Sequence, residues 1–151
     1  MLNFDIITVG PAHASVLALI HHQCFDSAWT DASFRDSLAT PGTLALVAKQ
    51  NPDQAVGFVM LRAAVDEAEI LTIATLPMAR RQGVGKTLMN AAENRLIMLK
   101  IKIFFLEVAE DNLAAQSLYE NLGFAIKGRR QGYYDRPSKT KVDALIMSKM
   151  L

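Results

Sequence analysis

Apolar positions change their spacing several times along this chain, from alternation to helical recurrence and back, with Gly, Pro, Asn and Asp at the changes. An alternating segment over residues 4–9 ends at Gly10-Pro11. Val16, Leu17 and Ile20 then mark a helix, and Thr30 or Asp31 can cap a second, short helix that runs through Leu38. Strand patterns follow over 44–48, 55–64 and 69–74, separated by Asn51-Pro52-Asp53 and Val65-Asp66-Glu67, which predicts hairpin connections and antiparallel neighbours.

From Gly83 to Lys100, the residues Val84, Leu88, Ala91, Ala92, Leu96 and Leu99 recur at helical spacing and predict the longest helix. The run over 101–108 is almost unbroken in apolar β-formers, as expected of a central strand covered on both faces. A further helix over 112–122 has Asp111 or Asn112 as its cap, Ala115, Leu118, Tyr119 and Leu122 as its apolar stripe, and Gly123 as its stop. Strands over 124–134 and 142–149 close the chain. The order β, α, α, β, β, β, α, β, α, β, β predicts an α+β fold, a mixed sheet with helices packed on it. With 151 residues, no repeat and no linker-like tract, one domain over 1–151 is expected.

Composition narrows the function classes. Sixteen Lys and Arg balance fifteen Asp and Glu, so no net field argues for nucleic acid. No apolar run is long enough to cross a membrane, and the start of the chain lacks the pattern of a secretion signal, so the expected setting is cytoplasmic. Cys24 is the single cysteine, and His13, His21 and His22 fall in the first helical region away from the other motifs, so no metal site is expected. Six basic residues between Lys127 and Lys141 face only Asp135 within that stretch.

Arg80-Arg81-Gln82-Gly83-Val84-Gly85-Lys86 lies between a strand and the long helix, where backbone N–H groups lack helical partners and the dipole favours an anion. A dinucleotide fingerprint would require glycine at position 88, where Leu88 stands, and a triphosphate loop would require glycine at position 80, where Arg80 stands. An ordinary glycine-containing helix start fits these residues as well. Glu107 interrupts its apolar strand: desolvation there would raise its pKa toward that of a useful base, whereas at the wet end of a strand it would form a structural ion pair. Tyr119 sits on an apolar stripe, where a tyrosine is either core filling or a buried proton donor.

Arg80-x-x-Gly83-x-Gly85 resembles the (Gln/Arg)-x-x-Gly-x-(Gly/Ala) motif of GNAT acetyltransferases, and Ala115-x-x-Leu118-Tyr119-x-x-x-Gly123-Phe124 resembles a second signature of that family. The element order from about Ile6 onward is similar too. The resemblance implies a sheet of about seven strands, mostly antiparallel, with about four helices, and acetyl-CoA as co-substrate. It places the pyrophosphate on the backbone of residues 80–86, Asn112 by the pantetheine arm, Tyr119 by the thioester and the oxyanion at the backbone of Ile73 and Ala74. Within the family the chain is most similar to RimI-like ribosomal-protein alanine N-acetyltransferases, through Phe25-x-x-x-Trp29-Thr30, Asp66-Glu67-Ala68, Arg129-Arg130-x-x-Tyr133-Tyr134 and Asp143-Ala144. In those proteins a strand Glu and a helix Tyr act as base and acid, the positions of Glu107 and Tyr119.

The resemblance therefore implies acetylation of a protein or peptide N-terminus, such as that of a ribosomal protein, with no nucleic acid or membrane as partner. An α-amine, of pKa about 8, needs less help from a base than a lysine at about 10.4. Tyr133 and Tyr134 are the expected acceptor contacts, although adjacent strand residues point to opposite faces. Trp29 is an acceptor contact or a lid on the core, and Glu69 a second candidate base. Ala28 stands where relatives often carry proline, and the loop over 131–141 differs from theirs. A GNAT protein acting on lysine or a small amine, a non-catalytic acyl-CoA-binding module and a broken triphosphate loop are the alternatives, and either a monomer or a homodimer fits the chain.

Overall fold

The computed structural model describes residues 3–151. Seven strands form one sheet in the order β1-β2-β3-β4-β5-β7-β6. They are β1 (Asp5–Val9), β2 (Thr43–Asn51), β3 (Gln54–Ala64), β4 (Glu67–Thr75), β5 (Ile103–Ala109), β6 (Ala125–Tyr134) and β7 (Val142–Met150), with helices α1 (Ala14–Cys24), α2 (Asp31–Ala39), α3 (Val84–Met98) and α4 (Leu113–Asn121). Every neighbouring pair is antiparallel except β4 with β5. The sequence therefore gives the right elements in the right order, and the two short 3-10 turns at Pro11–His13 and Pro77–Ala79 are additions to it.

The sheet has a core on each side. Alternate residues of β2 and β3 divide between them: Leu46, Ala48, Val59 and Leu61 pack with α3, while Ala45, Val47, Phe58 and Met60 pack with α1 and α2. Strand β5 departs from the expectation of burial on both faces. Phe104, Leu106 and Val108 are buried beneath α3 and α4, but Ile103, Phe105 and Glu107 are only half-buried. The reason is coverage, since the core built on α1 and α2 draws its strand residues from β1 to β4 and none from β5.

Local chemistry sets the helix ends. Thr30 caps α2 by accepting from the Ser33 N–H at 3.0 Å. Asn112, rather than Asp111, caps α4 through Oδ1 and the Ala115 N–H at 3.2 Å. Lys149 Nζ donates to Glu93 at 2.8 Å and to the Leu122 carbonyl at 2.7 Å, tying β7 to both α3 and the end of α4.

Two irregularities open a path through the sheet. Strands β4 and β5 pair only at Glu67↔Ile103, Ala68↔Phe104 and Glu69↔Phe105, and diverge beyond them. Leu71 is an unpaired extra residue of β4, because Met60 lies opposite Thr72 while Leu61 lies opposite Ile70. The start of α3 approaches this end of the sheet closely at Gly57. A Cβ there would lie 2.9 Å from both the Ala74 carbonyl oxygen and Val84 Cγ1. Gly57→Ala is accordingly expected to cost about 1–3 kcal/mol of stability by overpacking. Urea unfolding checks this as a lower midpoint with an unchanged m-value.

Candidate functional site

A single cleft of about 1080 Å³ runs through the gap between β4 and β5. On one face of the sheet it is lined by the start of α3 and by α4, and on the other by α1 and the segment after it. Its volume lies just above the ~300–1,000 Å³ usual for ligand sites.

The turn over residues 80–86 forms one end. Proline-led turn residues Pro77–Ala79 bring the chain out of β4, and Arg80 Nε donates to the Thr75 carbonyl at 3.1 Å. Arg81 and Gly83 both adopt left-handed backbone, with φ of 63° and 84°, which folds the main chain tightly just before α3. Gly83 has no side chain to cap α3, and no acidic residue occupies the first turn, so the helix presents bare N–H groups. Space around Gly83 is open, whereas a Cβ on Gly85 would meet Leu118 at 3.3 Å. Among the described residues, no acidic side chain forms an ion pair with Arg80, Arg81 or Lys86. The result is a concave, positively charged cradle suited to phosphate oxygens.

Ile73, Ala74, Arg80, Arg81, Gly83, Val84, Gly85, Lys86, Asn112 and Tyr119 all line the cleft. Gln82 does not. Its side chain turns back to donate to the Met78 carbonyl at 3.2 Å.

Glu107 also lines the cleft, and of the two readings its strand position allowed it takes the ion-paired one. Arg130 from β6 reaches it, Nη2 to Oε1 at 2.6 Å, while its guanidinium lies over the Tyr133 ring at 4.8 Å. Tyr119 is 5% exposed, and burial, with a smaller contribution from Tyr134, pushes its phenol up to about 12. Among the described residues its hydroxyl has no hydrogen-bond partner, yet no fully buried side-chain polar atom is left unpaired. The hydroxyl must therefore reach the open space of the cleft.

The expected acceptor residues divide. Trp29 and Tyr134 line the cleft, while Tyr133 is 49% exposed, packs edge-on against Tyr134 at 5.0 Å and lies outside the lining. Glu69 lies outside it too, held where β4 still pairs with β5. Burial and the Glu107 charge raise the Tyr134 phenol, which keeps it neutral. Arg136, beside it, grips Asp111 with two bonds of 2.8 and 2.6 Å and so pins the segment after β6 to the start of α4.

The sequence reading missed His21, which it placed apart from the motifs. The ring is 3% exposed, stacks on Phe25 at 4.2 Å and Trp29 at 5.3 Å, and lines the cleft. Its Nδ1 accepts the Trp29 N–H at 3.1 Å. The four-residue spacing of His21, Phe25 and Trp29 was the available signal, but only the packing of α1 beside β4 connects it with residues about 50 positions later.

Burial lowers the His21 pKa below its ordinary 6.5. The unfolded chain thus binds a proton near pH 6.5 that the folded chain binds only at lower pH, and stability falls as pH drops below that value. In His21→Gln the unfolding free energy should vary less steeply between about pH 7 and about pH 5 than in the wild type, as measured by urea denaturation at each pH.

Residues 15–124 match the Acetyltransferase (GNAT) family. The chain is 33% identical over 96 residues to the [ribosomal protein bS18]-alanine N-acetyltransferase of Haemophilus ducreyi, which covers 64% of this chain and 66% of that protein. The aligned stretch thus spans just under two thirds of that relative's length. The crystal structure of the ribosomal-protein-S18-alanine N-acetyltransferase from Escherichia coli superposes with a TM-score of 0.91 at 25% identity, covering 98% of this chain and 94% of that one. Arabidopsis thaliana NAA60, solved in complex with acetyl-CoA, shares the fold with a TM-score of 0.84 at 18% identity, over 99% of both chains. With more than two thirds of its residues inside the family match, and with the split sheet and bare helix start described above, this chain belongs to the GNAT acetyltransferase family.

Proposed function

We propose that the chain transfers the acetyl group of acetyl-CoA to the α-amine of a protein N-terminus, with a ribosomal protein as the acceptor class. One observation carries this reading: a single cleft joins the anion-binding turn on one face of the sheet to Glu107, Tyr119 and an aromatic wall toward the other. The likeness to ribosomal-protein alanine N-acetyltransferases supports the choice of acceptor.

In this reading, the backbone of residues 83–86 holds the pyrophosphate, aided by Arg80, Arg81 and Lys86, and Asn112 flanks the pantetheine arm. The thioester then lies in the gap where β4 has lost its strand partner. There the main chain of Ile73 faces the gap and is available to an oxyanion, whereas Ala74 turns its N–H and carbonyl toward Phe58 of β3. The acceptor arrives mostly as an ammonium, since its pKa is about 8. Glu107 takes a proton from it, which requires the ammonium to share or displace Arg130 at the carboxylate. The neutral amine attacks the thioester carbonyl, and a tetrahedral adduct forms. As the carbon–sulfur bond breaks, Tyr119 donates a hydrogen bond and its proton to the departing thiolate, and the proton on the new amide nitrogen is released to restore the phenol. A phenol near 12 and a thiol near 8.5 differ by roughly 3 to 4 units, so complete transfer to a free thiolate would cost about 4–5 kcal/mol. Proton donation concerted with bond cleavage avoids that penalty.

Mass spectrometry after incubation with acetyl-CoA and two peptides tests the reading. One peptide has a free N-terminal alanine and no lysine, and the other is N-terminally blocked with an internal lysine. Acetylation of the first alone is expected. Acetylation of the second alone, or of neither despite acetyl-CoA binding, overturns the reading. Glu107→Gln and Tyr119→Phe are each expected to lower kcat by about tens to thousands of fold while leaving acetyl-CoA affinity nearly unchanged, as steady-state kinetics and calorimetry would show.

A further inference from the structure

His21 combines three properties rarely found together. It is almost wholly buried, its ring is fixed between two aromatic neighbours, and one of its nitrogens has no protein partner. Because Nδ1 accepts the Trp29 N–H, the neutral ring must carry its own proton on Nε2. Burial holds the ring in that neutral state. Among the described residues Nε2 has no hydrogen-bond partner, and no fully enclosed side-chain polar atom lacks one, so Nε2 keeps access to the cleft that the ring lines. The outcome is a neutral N–H donor of fixed direction in an otherwise aromatic wall, with Phe25 and Trp29 beside it.

Resting on the proposed activity, we infer that His21 is an acceptor-binding residue whose Nε2–H donates to the main-chain carbonyl of the acceptor's first residue. The chemistry matches from both sides. A peptide N-terminus carries its α-amine and first carbonyl on the same Cα, so a donor on the carbonyl restricts the direction in which the amine can point. An ammonium or guanidinium at this position would repel the charged amine, whereas a neutral imidazole does not. Arg136, which lines the same cleft, is held by Asp111, so its guanidinium is already engaged. The donor also distinguishes a peptide from a simple alkylamine, which has no carbonyl to offer.

The test compares wild type, His21→Asn and His21→Gln with two acceptors: an alanine-initiated peptide, and the same peptide with its first amide replaced by a trans-alkene. Asn places its amide oxygen where Nδ1 was, so it can keep the Trp29 N–H bonded while losing the cleft donor. Gln extends an N–H donor toward the position of Nε2. For the ordinary peptide, His21→Asn should raise KM about three- to tenfold with acetyl-CoA KM unchanged, and His21→Gln should recover part of the loss. On the alkene peptide the Asn variant and wild type should have the same KM, because the partner of the lost bond is gone. An Asn variant with wild-type KM on the ordinary peptide overturns the inference. So does an equal loss on both acceptors, which would mean that His21 only supports Trp29. Wild-type protein that acetylates neither acceptor overturns the activity and this inference with it, whereas wild-type turnover with an unaffected Asn variant overturns the inference alone.

Discussion

The early end of pairing between β4 and β5 is the constraint on which the rest of the molecule depends. A sheet interior normally satisfies main-chain groups on both edges of each strand, and here that rule is suspended after three residue pairs. Strand β5 remains fully paired with β7 along its other edge, from Ile103 to Ala109, and β4 remains paired with β3 from Glu67 to Thr75. Each half is therefore held rigid from outside while the edges facing the gap stay free. Polar main-chain groups at the centre of a folded protein are thereby left available to a ligand without the loss of either half-sheet.

The helices follow from that split. Helix α3 starts beside the gap because Gly57 lets it sit directly on β3 and because two left-handed residues turn the chain sharply before it. Its apolar side, with Val84, Leu88 and Ala92, packs on the sheet, so the start of the helix is anchored even though no side chain caps it. Helix α1 closes the opposite face near the end of β4, where Cys24 donates to the Thr75 carbonyl at 3.3 Å. The same carbonyl accepts from Arg80, so one atom links the aromatic wall to the turn that precedes α3.

Much of this was legible in the sequence. The changes of hydrophobic period located every strand and α-helix of the described residues, and the glycine spacing separated this turn from dinucleotide and triphosphate loops. Most of the residues expected at the cofactor line the cleft because they share one turn or the ends of neighbouring elements. The failures have a common cause in long-range packing. The half-open face of β5 depends on where α1 and α2 stop covering the sheet, which periodicity within β5 does not encode. Leu71 shifts β4 by one residue, so Ile70 and Ile73 pack into the same core although strict alternation would separate them. Glu69, the second candidate base, misses the cleft because it sits where β4 is still paired with β5, and the point at which that pairing ends is not encoded in either strand alone. His21 was invisible because its importance lies in neighbours, not in a motif.

The basic stretch between Lys127 and Lys141 looks different once folded. Arg129 binds Glu110 and Asp143, Arg130 binds Glu107, and Arg136 binds Asp111, all acids that lie outside the loop or on other strands. Three of the six cations are thus paired, and with Asp135 the stretch and its partner acids sum to six positive and five negative charges, so a surface that reads as a positive patch is close to electroneutral. A near-neutral rim neither attracts an acidic chain from a distance nor repels a basic one. Discrimination among partners at this rim then falls to contacts made on arrival, at ranges shorter than the screening length of about 8 Å in physiological salt, and association should be nearly indifferent to ionic strength.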